Sequence, residues 1–206
     1  MQKRIKNIVF DMGRVLLDFS PQEVIAPYFS EPKEQTLIHD VVFDSGDWFA
    51  LDEGNITEEE ALAKWCACVP EHMRGPLTEM FRNWYRALSP IDGMEELIAQ
   101  LKAHGYRCYL LSNTSVRFSA YWQEFAVLRM LDGHYASAFY HLVKPDSRAY
   151  LKMTELFSLD PEECFFVDDR EENVAGAERV GMRGYTFSPP SVQKLIRTLR
   201  ENGVNI

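Results

Sequence analysis

Short, mostly apolar runs recur along the chain at 8–10, 108–111, 164–167 and 183–187. Each is too short for a helix and is bounded by charged or turn-forming residues, so each predicts a buried strand. Helical periodicity fills the intervals. In 93–104, Met94, Leu97, Ile98 and Leu101 share one face and Gly105 ends the segment as a C-cap. Segments 146–157, 171–180 and 191–201 read the same way, the second stopped by Gly181. Strands alternating with helices predict an α/β fold, a doubly wound Rossmann-like parallel sheet whose ligands bind beyond the carboxyl ends of the strands.

Residues 20–88 break the alternation. They carry four helical patterns, at 21–28, 32–43, 57–68 and 71–85, and no strand pattern. Thr57 and Glu60 have the spacing of a capping box. The stretch is too long for one crossover, so it predicts an inserted helical cap subdomain (20–88) over a core formed by 1–19 and 89–206. No repeat or low-complexity tract is present.

The chain has 206 residues, is 46% hydrophobic and carries a formal net charge of −9. That length suits one core with an insertion. The acidity argues against nucleic-acid binding, which needs a basic face. An anionic substrate would need local positive charge. Cys66, Cys68, Cys108 and Cys164 lack zinc-ligand spacing and read as reduced thiols. The first apolar run is too short for a signal peptide, and none reaches the ~18 residues of a membrane span. A cytoplasmic protein, monomer or homodimer, without nucleic-acid or membrane partners is expected.

The candidate chemistry sits at strand ends. The first strand ends in Asp11, the second in Ser112-Asn113-Thr114, and the third in Asp168-Asp169, with Asn173 one turn on. Lys144 precedes Pro145 and a helix start. Singly, an Asp after a strand is usually a turn or capping residue, and a Lys before Pro is usually solvated. Together they would bring three carboxylates to one point, which repel unless a cation neutralises them. Hard oxygen ligands select Mg²⁺. With Lys144 and the donors of Ser112 and Asn113, that makes an electrostatic clamp for phosphoryl transfer. Asp11 aimed into it makes an aspartyl-phosphate intermediate possible.

These motifs, VFDMGRVLLD, LLSNTS, LVKPDSRAY and FFVDDREENVAGAERVGM, resemble in order and spacing the haloacid dehalogenase superfamily of phosphohydrolases, over nearly the whole chain. The resemblance implies Asp11 as nucleophile. It implies Mg²⁺ held by Asp11, the backbone carbonyl of Gly13 and Asp169, with Asp168 adjacent or bridging through water. Ser112 and Lys144 match its phosphate-binding pair, with Lys144 also orienting the carboxylates and Asn113 and Asn173 in support. The wording is also similar to the α-D-glucose-1-phosphate phosphatase-like subgroup, which implies a sugar phosphate among small phosphorylated substrates.

One position departs from the superfamily pattern. Its second motif-one aspartate protonates the leaving group, and here that residue is Gly13. General acid–base catalysis contributes roughly 10²–10⁴ in rate, or about 3–5 kcal/mol. Three readings stay open: a substrate whose leaving group needs little acid help, a proton from elsewhere, or loss of turnover with retained binding of a phosphate ligand or protein partner. Asp18 is the nearest carboxylate in sequence and equally reads as a hinge residue. Substrate choice is expected in the cap, where Trp48, Phe49 and Asp52 precede a turn at Glu53-Gly54-Asn55. They either face a sugar or pack the cap core.

Overall fold

The computed structural model describes residues 3–206. In chain order, β1 (Asn7–Phe10) leads to the short β2 (Leu17–Asp18). Five helices follow: α1 (Pro21–Ile25), α2 (Pro32–Ile38), α3 (Asp47–Asp52), α4 (Glu58–Cys68) and α5 (Glu71–Asn83). The chain returns through β3 (Ser89–Pro90), α6 (Met94–Ala103) and β4 (Arg107–Ser112). It continues through α7 (Phe118–Tyr121), α8 (Ala126–Arg129), β5 (Gly133–Ala136) and α9 (Ser147–Phe157). It closes with β6 (Cys164–Asp168), α10 (Glu171–Arg179), β7 (Arg183–Thr186) and α11 (Val192–Glu201).

The main sheet has the order β5-β4-β1-β6-β7, with every neighbouring pair parallel. β1 is central, and Ile8 is in register with Cys108 on one side and Phe165 on the other. Successive strand residues point to opposite faces. Ile8 and Phe10 therefore pack with Leu97 and Ile98 of α6 and Leu195 of α11, whereas Val9 packs with Tyr150 and Met153 of α9 and Ala177 of α10. Helices on both faces of a parallel sheet make the doubly wound α/β fold that the alternation predicts. The sheet core runs without a break into the helical segment, where Trp65, Leu77 and Phe81 are buried in one cluster with Leu16 and Leu17.

Local signals set most boundaries. Thr57 and Glu60 form the capping box reciprocally: the Glu60 amide donates to Thr57 Oγ1 at 3.1 Å, and the Thr57 amide donates to Glu60 Oε2 at 2.8 Å. Asp146 caps α9, and Gly105 leaves α6 at φ +83°. The pattern at 32–43 resolves into α2 followed by a π-helical turn, His39–Phe43, and the one at 71–85 into α5 followed by a 3₁₀ turn, Trp84–Ala87.

Several elements go beyond the sequence reading. β5 was not predicted. It is a four-residue edge strand, GHYA, with only its last two residues buried, too short for a periodic signal. Gly133 passes Phe157 so closely that a Cβ there would lie 2.5 Å from the ring. α3 lies between Gly46 (φ +82°) and Gly54 (φ +71°), and six residues carry no helical repeat. β2 and β3 pair antiparallel, Leu17 with Pro90 and Asp18 with Ser89, so the two passages between sheet and helical segment run side by side. No helix among the described residues is long and apolar enough to cross a membrane.

Candidate active site

The sheet carries its polar groups to one edge. The Asp11 amide still donates to the Val167 carbonyl at 2.9 Å, which extends the ladder one residue past β1 and fixes where the carboxylate begins. Asp11 is 9% exposed. Its Oδ1 accepts from the Met12 amide and pairs with Lys144 Nζ, both at 2.7 Å, and among the described residues no hydrogen bond falls on Oδ2. Lys144, 2% exposed, reaches Asp168 Oδ2 at the same 2.7 Å. One ammonium thus bridges the ends of β1 and β6.

Lys144 is held from behind. Asn113, just past β4, donates from Nδ2 to the Lys144 carbonyl at 3.0 Å and accepts the Lys144 amide on Oδ1 at 2.8 Å. This pair satisfies both backbone groups of the residue, so Asn113 places Lys144 while itself lining the cavity. Asp168 is similarly committed. It is fully buried and accepts from the Arg170 amide (2.9 Å), from Asn173 Nδ2 at both oxygens (3.0 and 3.1 Å), and from Lys144. Ser112 has only a long 3.5 Å contact to the Asn113 carbonyl, which leaves its hydroxyl available.

The electrostatics follow from burial. Burial pushes the Asp11 carboxyl up, Lys144 pulls it down and Asp168 adds repulsion, with the result at about 7. Asp169 is raised by burial and by Asp168. Burial opposes the charge of Lys144, but Asp11 and Asp168 outweigh it and hold the ammonium above its usual range. Three carboxylates cluster about one buried ammonium, with the exposed Arg14 acting on Asp169 from the cavity rim. One carboxylate oxygen from each of Asp11, Asp168 and Asp169 lies within 4.8 Å of the other two. An all-oxygen set with that spacing fits a small hard divalent cation. Asp11 and Asp169 open onto the cavity and Asp168 does not.

That cavity holds about 310 Å³. Its floor is Asp11, Ser112, Lys144 and Asp169 at the strand ends, and a further wall comes from α3 and the turn after α5, through Trp48, Phe49, Asp52 and Trp84. Trp48 serves both readings of the cap. It packs 4.7 Å from Phe43 and 5.2 Å from Trp84, centroid to centroid, and still lines the cavity. Phe49 is 47% exposed at the same wall.

Gly13 also lines the cavity, and a Cβ built there meets nothing within 4 Å. Space for an acid exists, and no side chain fills it. Asp18 does not compensate. It lies exposed on β2, accepts its neighbour's Phe19 amide at 2.9 Å and lines a different cavity beside Ser89 and Asp92. Asp52 is the residue whose place sequence spacing left open. It is partly buried at the end of α3, and burial followed by the Asp11 charge pushes its carboxyl up to about 8.

Residues 5–181 match the model of a family described as hydrolase, haloacid dehalogenase-like hydrolase. Flavin mononucleotide hydrolase 1 of Arabidopsis thaliana is 27% identical over 100% of this chain and 80% of its own length. A sesquiterpene phosphatase of Aspergillus oryzae is 28% identical over 87% of this chain and 88% of its own. Among solved structures, a magnesium complex of a haloacid dehalogenase family enzyme from Bacteroides thetaiotaomicron superposes with a TM-score of 0.75 at 23% identity, covering 95% of this chain and 100% of that one.

Proposed function

The chain belongs to the haloacid dehalogenase-like hydrolases, and on that premise we propose that it is a Mg²⁺-dependent phosphoric monoester hydrolase of a small phosphorylated metabolite, acting through an aspartyl phosphate on Asp11. The observation that carries this reading is the Lys144 ammonium at 2.7 Å from both Asp11 and Asp168, at the floor of a cavity that Ser112 and Asp169 also line. A phosphoryl group placed there meets a cation and a hydroxyl donor beside a carboxylate whose Oδ2 accepts no hydrogen bond among the described residues. The names of the Arabidopsis and Aspergillus relatives point the same way.

In this reading Asp11, the Gly13 carbonyl and Asp169 would hold Mg²⁺, and Asp168 acts behind them by fixing Lys144 and Asn173. When bound, the metal supplies charge stabilisation at the phosphoryl oxygens. Lys144 and Ser112 bind and orient those oxygens, and Lys144 keeps Asp11 ionised and aligned. Residues 20–88 act as the cap that closes over the leaving group and selects it. A sugar phosphate is the first candidate, since Trp48 offers a flat apolar face near the Asp52 carboxyl. The aromatic wall of Trp48, Phe49 and Trp84 also favours a monophosphate with a planar or extended apolar group. Four free cysteines fit a reducing compartment such as the cytoplasm.

The test is phosphate release from p-nitrophenyl phosphate, α-glucose 1-phosphate and flavin mononucleotide with Mg²⁺ and with EDTA. Turnover should require the metal and vanish in Asp11→Asn while the circular dichroism spectrum is kept. Turnover unchanged by Asp11→Asn would sink the mechanism. Silence on all three substrates with measurable binding of inorganic phosphate would instead favour a ligand-binding protein.

A further inference from the structure

Expelling an alkoxide or phenoxide from phosphorus needs a proton at the departing oxygen, and Gly13 has none to give. Three carboxylates line the cavity: Asp11, Asp169 and Asp52. The first two belong to the phosphate and metal floor. Asp52 comes instead from the inserted helical segment, at the end of α3, close enough to the floor for the charges of Asp11 and Lys144 to act on it.

A general acid on an inserted helix is useful only if it is held in register with the nucleophile. The chain around Asp52 is built for that. Ser137, fully buried after β5, donates from Oγ to the Asp52 carbonyl at 2.5 Å and accepts the Thr114 amide at 2.9 Å. One hydroxyl therefore joins the Asp52 backbone to the loop that carries Ser112 and Asn113. The next carbonyl, of Glu53, contacts His141 Nδ1 at 3.0 Å. The residue after that, Gly54 at φ +71°, passes the Ala138 carbonyl so closely that a Cβ would lie 2.5 Å from it. Three consecutive residues are seated on the core. The groups facing the Asp52 side chain are Asp11 and Lys144 across the cavity, the Ser115 amide and the Tyr121 hydroxyl.

We propose that Asp52 is the catalytic acid and base that motif one lacks, an inference that rests on the phosphatase reading of the Asp11 site. In the first step an Asp11 oxygen bonds to phosphorus and the phosphorus–oxygen ester bond breaks. Its electron pair stays on the leaving oxygen, which takes the proton of the Asp52 carboxyl and departs as an alcohol. In the second, the Asp52 carboxylate takes a proton from water as the water oxygen bonds to phosphorus. The Asp11–phosphorus linkage breaks, returning the Asp11 carboxylate, inorganic phosphate and a protonated Asp52. The raised ionisation of Asp52 suits both steps.

Phenyl phosphate and p-nitrophenyl phosphate test this, because they differ little in shape but strongly in the leaving group's need for a proton. Neither carries a sugar hydroxyl. Asp52→Asn keeps the backbone carbonyl that Ser137 binds. It should lose about 10²-fold or more in kcat on phenyl phosphate. With p-nitrophenyl phosphate it should still give a rapid burst of p-nitrophenolate near one equivalent, followed by slow turnover as the aspartyl phosphate waits for its base. Gly13→Asp added to Asp52→Asn should restore part of the phenyl phosphate rate, since the space at Gly13 is open. No loss on phenyl phosphate, as expected if Asp52 only binds hydroxyls, overturns the proposal. An equal loss on both substrates without a burst also overturns it. Asp11→Asn separates the two readings: if the wild type turns over and Asp11→Asn does not, the site stands whatever Asp52 does. A wild type inert to both esters and also to α-glucose 1-phosphate and flavin mononucleotide removes both.

Discussion

The floor and the wall of the cavity are built on opposite principles. The floor is a closed polar network at the ends of β1, β4 and β6. Asp11, Lys144, Asp168 and Asn173 contact one another with side chains almost wholly withdrawn from water, and the half-buried Asn113 holds the Lys144 backbone. The wall is a set of aromatic side chains at helix ends, from the buried Trp84 to the half-exposed Phe49. A buried ionic network tolerates little change, because any member removed leaves a charge without a partner. An aromatic wall can be altered face by face. Among the described residues that line the cavity from α3, Asp52 is the carboxylate.

The sharpest way to break the comparison is at the floor. Lys144→Met removes the one cation between Asp11 and Asp168 and leaves them facing each other in a buried site. It should abolish turnover and cost about 3–5 kcal/mol in chemical denaturation without metal. Mg²⁺ should recover part of that stability, and a variant as stable as the wild type would mean that the network is not under electrostatic load.

Asp52 gives an intermediate effect with a defined sign. Its carboxyl is raised from the ordinary range to about 8, so between those limits the folded chain holds a proton that the unfolded chain has released. Stability from this group is therefore complete at low pH and is lost as pH rises toward 8. Asn has no proton to lose. The melting temperature of Asp52→Asn minus that of the wild type, in EDTA, should grow from pH 5 to pH 8, by about 2–4 °C per kcal/mol. A flat difference would mean that Asp52 titrates normally.

Phe49→Ala should move least. Nearly half exposed, it contributes little to folding, and stability should stay within about 0.5 kcal/mol. The KM for an aromatic monophosphate such as flavin mononucleotide should rise by a few-fold with kcat unchanged. A fall in kcat for p-nitrophenyl phosphate would show that the wall also shapes the chemistry.

Much of this was readable along the chain. Val9, Phe10 and Asp11 form a buried strand with a carboxylate at its end, and that pattern is local. So are the Thr57–Glu60 capping box and the glycine stop after α6. The strand at Gly133–Ala136 was not legible, because an edge strand with one paired neighbour needs few apolar residues. Asn113 was legible as a candidate site residue, but its hold on the Lys144 backbone was not, since that depends on a partner far along the chain. Asp18, nearest to Gly13 in sequence, turned out to sit in the paired strands that join sheet to helices.

By itself the sequence determined the alternation of elements, and with it which residues stand at strand ends: Asp11, Ser112, Asp168 and Asp169. A parallel sheet brings all such ends to one edge, so periodicity is enough to assemble the floor. Only the tertiary structure decided which carboxyl faces that floor from above. Proximity in sequence favoured Asp18, but a hydroxyl on Ser137, a close pass at Gly54 and the packing of Trp48 seat Asp52 there instead. Those contacts join segments with no common period, so no local pattern could carry them.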